Sequence, residues 1–152
     1  MATRRRGLDS VLRLKQREEE RKTLELATIS EEERHSREAL RLLREKHHAQ
    51  LRQIAEAAAG AVDPMRLQDA RTYLHALDGF IDDQLMHLTA VEQRVLESKD
   101  QLIEVLKERR SLELLEERHV ADERAENGRR ERNQNDEMNT QRYARRLAGG
   151  GR

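Results

Sequence analysis

Residues 67–112 read LQDARTYLHALDGFIDDQLMHLTAVEQRVLESKDQLIEVLKERRSL. Alternate steps of three and four from Leu67 reach Ala70, Leu74, Leu77, Ile81, Gln84, Leu88, Val91, Val95, Ser98, Leu102, Val105, Arg109 and Leu112, and only Gln84, Ser98 and Arg109 break the apolar series. Steps averaging 3.5 residues draw one narrow stripe down a helix. That is the seam of a coiled coil, narrower than the face of a helix in a globular core. So long a stripe needs a partner helix.

The chain supplies one. Leu12, Leu26, Leu40 and Ile54 are spaced by fourteen, two heptads each, and Ile29, Leu43 and Ala57 keep the companion phase. Asp9 or Ser10 can cap this first helix, which is expected to begin near Val11 and run to about Ala59. Ser30 with Glu33 imitates a capping box, but the fourteen-residue spacing passes through it unbroken. Gly60 is a helix stop, and Asp63 followed by Pro64 is a helix start, with the carboxylate capping free amides. A connection this short makes antiparallel neighbours.

Folding the chain about residue 62 pairs Leu12 with Leu112, Leu26 with Ser98, Ile29 with Val95, Leu40 with Gln84, Leu43 with Ile81 and Ile54 with Ala70. Each polar seam residue then faces an apolar one, except in the layer of Lys15 and Arg109, where both cations can extend their stems and keep their heads in water. A register shifted by one heptad stays open. Beyond Leu112 the seam phase reads Glu116, His119, Glu123, Glu126, Arg130, Asn133 and Glu137 and has lost its apolar character. The expected fold is all-α, two long helices in an antiparallel coiled-coil hairpin with a polar C-terminal overhang. Its divisions are a basic disordered start at 1–8, the hairpin at 9–116 with its turn near 60–64, a polar basic overhang at 117–147 and a disordered tail at 148–152.

Composition agrees. The chain has 152 residues, 39% of them charged and 2% aromatic, so there is little bulk for a globular interior. Net charge is zero, which excludes a polyanion binder by bulk charge, but the ends are basic: Arg4, Arg5 and Arg6 open the chain, and Arg129, Arg130, Arg132, Arg142, Arg145 and Arg146 sit near its close. Without interleaved aromatics a nucleic-acid partner is disfavoured. No cysteine is present, so disulfide and thiol chemistry are out, and a reducing compartment fits. No signal peptide and no membrane-length apolar run is evident, so an intracellular protein with at most peripheral membrane contact is expected.

No catalytic constellation is found. There is no strand for a phosphate loop and no glycine-rich phosphate motif, so neither an enzyme nor a cofactor is expected. His48 and His75 could approach across the hairpin, but two histidines without a third ligand do not make a metal site. The runs Glu18–Glu20 and Glu31–Glu33 lie among Arg and Lys at helix-neighbour spacing and read as solvated ion-pair faces. Tyr73 and Phe80 stand one position before Leu74 and Ile81, off the seam. They either broaden the core beside the turn or anchor a partner. Arg142, Arg145 and Arg146 beside Tyr143 form either an interaction arm or a solubilising tail.

These features together resemble a family. Two long helices, a short Asp-Pro connection, Tyr73-x3-Leu77-x3-Ile81-x2-Gln84 at the second-helix start, and Asp136-Glu137 followed by Arg142-Tyr143 in the tail are similar to the flagellar FliJ family, over about residues 8–146. The resemblance implies a non-enzymatic part of the bacterial flagellar type III export apparatus, a stalk similar to that of rotary ATPases. It implies three partners: the hexameric export ATPase, the cytoplasmic domain of the export-gate membrane protein, and export chaperones. The gate-facing residues would be Tyr73, Leu77, Phe80 and Gln84 with Leu43, Lys46 and Gln50. The ATPase-facing residues would be Leu8, Val11, Leu12, Arg142, Tyr143 and Arg145.

In two places the chain departs from the family pattern. Lys46 and Gln50 stand where aromatics would be expected, and Asn127-Gly128 interrupts a stretch the family keeps helical. A monomer without nucleic acid, cytoplasmic and peripherally held at the inner membrane face of the flagellar base, is expected. The equivalent stalk of a virulence-type secretion system and a polymerising coiled-coil scaffold are the alternatives.

Overall fold

The computed structural model describes residues 2–61 and 63–150; the side chains of residues 2–6, those of Arg4, Arg5 and Arg6 among them, lie outside the description, as do Val62 and Arg152. Two helices make up the described chain, α1 over Ala2–Ala58 and α2 over Pro64–Gly149, packed antiparallel as an all-α hairpin.

The stripe explains why the helices pair. None of the fourteen seam positions of α2 is exposed, and in α1 only Ala57 is. The most buried side chains, Leu12, Leu40, Leu77, Leu88, Val91, Val95 and Val105 together with Ser36 and Ser98, all lie on the two seams. Val91 is 1% exposed. Burying a side chain of this size contributes about 1.5–3 kcal/mol, so a run of such layers holds the two helices together.

The chain divides into two units, one of Arg17–Leu106 and one of Met1–Gln16 with Lys107–Arg152. In the first, Lys22 Nζ donates to Gln101 Oε1 at 2.9 Å and His47 Nε2 lies 2.9 Å from Asp78 Oδ1. In the second, Lys15 pairs with Glu108. All three contacts lie within one residue of the register about residue 62.

The turn forms by two different devices. At its far side Asp63 Oδ1 accepts the Met65 amide at 3.0 Å and the Asp63 carbonyl accepts the Leu67 amide at 3.1 Å, which is the Asp-Pro start read from the sequence. At its near side the Ala59 and Gly60 amides donate to the Glu56 and Ala57 carbonyls at 3.3 and 3.2 Å. The last turn is therefore tightened by i→i+3 bonds. No described glycine has positive φ, so the left-handed glycine stop expected at Gly60 is not used.

Two expectations about the ends need correction. Helix α1 starts at Ala2, not near Val11, and takes in residues 2–8; a single exposed Gly7 costs about 1 kcal/mol, too little to end a helix. Likewise α2 runs unbroken through Asn127 and Gly128 to Gly149. Half-buried positions continue along α2 at Glu116, Val120, Glu123, Glu126 and Gly128, and from Arg129 to Gly150 every residue is exposed. The overhang without cover is therefore shorter than the expected 117–147.

Candidate functional site

In the unit of Arg17–Leu106, Tyr73 and Phe80 lie seven residues apart on one flank of the α2 seam and are 46% and 58% exposed. Continuing by sevens reaches His87 and Arg94 on the same flank. Arg94 Nη1 meets Glu32 of α1 at 2.8 Å, which identifies the α1 flank alongside. Lys46, fourteen after Glu32, shares that flank and is exposed. The two aromatics and Lys46 are thus offered together on one side of the hairpin.

The other residues expected with them are turned inward. Leu77 is 3% exposed, and Leu43 and Gln50 are half-buried on the α1 seam. Gln84 Nε2 donates to Ser36 Oγ at 2.7 Å and to the Ser36 carbonyl at 3.1 Å. Its amide reaches from the layer of Leu40 to the adjacent layer of Ser36 and is committed within the seam. The spacing that placed these residues on the seam already implied this, but not which polar group would satisfy Gln84.

In the unit of Met1–Gln16 and Lys107–Arg152, Leu12 is buried, Leu8 half-buried and Val11 41% exposed. Arg142, Tyr143 and Arg145 are exposed on the uncovered part of α2, Tyr143 by 67%. Continuing the Lys15/Glu108 register puts Leu8 opposite about Leu115. At 1.5 Å per residue that is about 40 Å along α2 from Arg142. The residues expected at one contact therefore form two separate surfaces. Arg142, Arg145 and Arg146 have no ion-pair partner among the described residues, whereas Arg130 is held by Glu126 at 2.5 Å.

The acidic run Glu31–Glu33 of α1 is an ion-paired face. Arg34 Nη2 meets Glu31 at 2.5 Å, Arg37 meets Glu33 at 2.5 Å and Glu92 of α2 at 3.1 Å, and Arg41 meets Glu38 at 2.5 Å and also Glu45. The hydrogen bonds from Arg34 and Arg41 hold the Glu31 and Glu38 carboxyls below the ordinary value. His47 and His48 stack edge to face at 6.3 Å. Among the described residues no three histidine or acidic side chains gather as metal ligands, and no helix is long and apolar enough to cross a membrane.

Helix α2 carries a further apolar series outside the seam, masked in the sequence by interspersed charges. On α2 a second series of apolar side chains, Leu85, Leu96, Ile103 and Leu106, is 37%, 56%, 47% and 39% exposed. Its signal was present as another 3.5-residue spacing displaced from the seam, but interruption by Glu92 and Lys99 hid it.

A family model described as "Flagellar FliJ protein" matches residues 4–148, nearly the whole chain. Neither a curated protein nor a solved structure matches it.

Proposed function

Since the chain belongs to the flagellar FliJ family and is thereby a flagellar export-related protein, we propose that it is a non-enzymatic coiled-coil component of the export apparatus. In this reading it binds the export ATPase ring, couples it to the cytoplasmic domain of the membrane export gate, and handles export chaperones. It works as a single chain in the ring, in the cytoplasm and peripherally at the inner face of the membrane.

One observation carries the reading. The chain has only three aromatic residues, and none is buried: Tyr73 is exposed by 46%, Phe80 by 58% and Tyr143 by 67%. A hairpin that used its scarce rings for packing would bury them at the seam. Exposed rings are the residue type that anchors partner contacts. Tyr73 and Phe80 lie on the expected gate flank, and Tyr143 lies among uncompensated arginines on the uncovered helix, where a carboxylate-lined partner surface would be matched.

The test separates the two surfaces. Tyr73→Ala with Phe80→Ala lowers affinity for the gate protein's cytoplasmic domain at least tenfold and leaves helicity and ATPase stimulation intact. Truncation before Arg129 does the reverse, abolishing stimulation of the ATPase while gate binding persists. Unchanged gate affinity in the first variant, or full stimulation in the second, refutes the corresponding surface.

A further inference from the structure

The outer face of α2 within the unit of Arg17–Leu106 carries a pattern that matches itself when reversed. Thr89, Leu96 and Ile103 form its central column, spaced by seven. Leu85, Glu92, Lys99 and Leu106 form the column on one side, and Gln93 and Asp100 stand on the other. All are exposed except Glu92, which is half-buried. This face lies on the flank away from Tyr73 and Phe80.

When two copies of one helix pack antiparallel about a two-fold axis, each side column meets the same column of the other copy, and residues equidistant from the axis are paired. With the axis at Leu96, Leu96 meets its own copy and Ile103 meets Thr89. In the side column Leu106 meets Leu85 and Lys99 meets Glu92; on the other side Asp100 meets Gln93. Apolar groups meet apolar or methyl groups, and opposite charges meet. A shift of one heptad either way destroys this. One shift sets Lys99 against Lys99, and the other sets Glu92 against Glu92. Charge therefore selects a single register.

Two local facts favour a second copy as the occupant. Lys99 and Asp100 have no ion-pair partner among the described residues, and Glu92, which meets Arg37 of α1 at 3.1 Å, keeps a carboxylate oxygen for Lys99 of a second copy. Leu96 and Ile103, the centre of the face, are the most exposed of the four aliphatic side chains on it. We propose that this face is a self-association surface, on which a second copy of this chain docks antiparallel about Leu96 to form a symmetric dimer.

The contact is separate from the seam. The hairpin satisfies its own seam, so the single chain expected from the sequence is the species at low concentration. A face of this size is well below a standard stable interface, so the dimer forms in the upper micromolar range and leaves both surfaces assigned above free.

Sedimentation equilibrium of the full chain over a range up to about one millimolar tests the inference, with helicity followed by circular dichroism. The wild type shows a monomer–dimer equilibrium. Leu96→Glu, an exposed position that leaves the hairpin folded, removes it. Lys99→Glu sets like charges together twice in each dimer and weakens association about tenfold. Adding Glu92→Lys to Lys99→Glu restores it. In parallel, Leu96→Cys places a thiol on the axis of a chain that otherwise has no cysteine, and mild oxidation crosslinks it to a dimer, whereas Leu24→Cys, also exposed but on α1, crosslinks far less. A wild type that stays monomeric throughout, a Leu96→Glu variant that dimerises as the wild type does, or a charge swap that fails to restore what Lys99→Glu loses, each overturns the proposal.

Discussion

The hydrogen bonds that join Gln84 to Ser36, in adjacent layers of the seam, contribute a measurable share of the stability. Ser36 is 4% exposed, and Gln84 Nε2 donates to its hydroxyl at 2.7 Å and to its carbonyl at 3.1 Å. Replacing Ser36 with Ala removes the first bond and leaves the second. A net contribution of about 0.5–1.5 kcal/mol is expected for such a bond. Replacing Gln84 with Leu removes both and leaves the buried Ser36 hydroxyl without a partner, at about 1–3 kcal/mol, offset in part by the apolar area gained. The double variant leaves no stranded group. It is expected to equal or exceed the wild type in stability, with a coupling between the sites of about 1 kcal/mol. Urea unfolding followed at 222 nm measures all four proteins. At a slope of about 1–3 kcal/mol per molar, this is a midpoint difference of about 0.3–1 M. Additivity within about 0.3 kcal/mol would refute the reasoning and mean that the bond contributes nothing to the fold.

Three more outcomes follow from particular residues. Ser98 Oγ is buried without a hydrogen-bond partner in a 4%-exposed residue, so Ser98→Ala is expected to raise unfolding stability by about 1 kcal/mol in the same urea assay. Gly79 lies inside α2 without positive φ, and a Cβ there would meet nothing within 4 Å, so Gly79→Ala raises stability by about 1 kcal/mol and the thermal midpoint by a few degrees. The carboxyls of Glu31 and Glu38 titrate below their ordinary value of 4.5 in the folded helix because Arg34 and Arg41 bond the charged form. Their contribution is present above the unfolded value and lost as pH falls through the lowered folded one. Acid titration of the double variant Glu31→Gln, Glu38→Gln is therefore flatter in that window, and because these groups are exposed the difference shrinks in high salt.

The seam could be read from the sequence because a 3.5-residue period is a geometric signal that survives polar interruptions. Gln84, Ser98 and Arg109 break the apolar series but not the phase, and each is found on the seam. Asp63 and Pro64 were legible for the same reason: a carboxylate cap and a fixed φ have one obvious use. The helix ends were not. Gly7, Asn127 and Gly128 cost little each and a long helix absorbs them, so the start of α1 was misplaced; the uncovered part of α2 was misplaced because the seam beyond Leu112 turns polar although half-buried positions continue to Gly128. For the functional surfaces, the sequence placed Tyr73 and Phe80 off the seam but left open whether they widen the core or face solvent, and the 46% and 58% exposure decides for solvent. That Leu8 and Arg142 lie far apart required the register and the helix rise together. The outer face of Leu96 was hidden because charges dilute its period.

The uneven quality of the layers near the turn has a consequence for how the molecule assembles. Between the turn and Leu77 no side chain is fully buried, and the layers there use Ala57, Ala70 and Gln50, whereas Leu88, Val91 and Val95 lie farther from it. Zipping outward from the turn would close the smallest loops but gains little for each step. Closing first at Leu88 against Ser36 spans a loop about five times as long as closing Ala57 on Leu67, which costs an extra entropy of only about 1.4 kcal/mol, at about 0.6 kcal/mol for each doubling. The folding nucleus is thus drawn away from the turn, and the tip is the last part to settle and the first to fray.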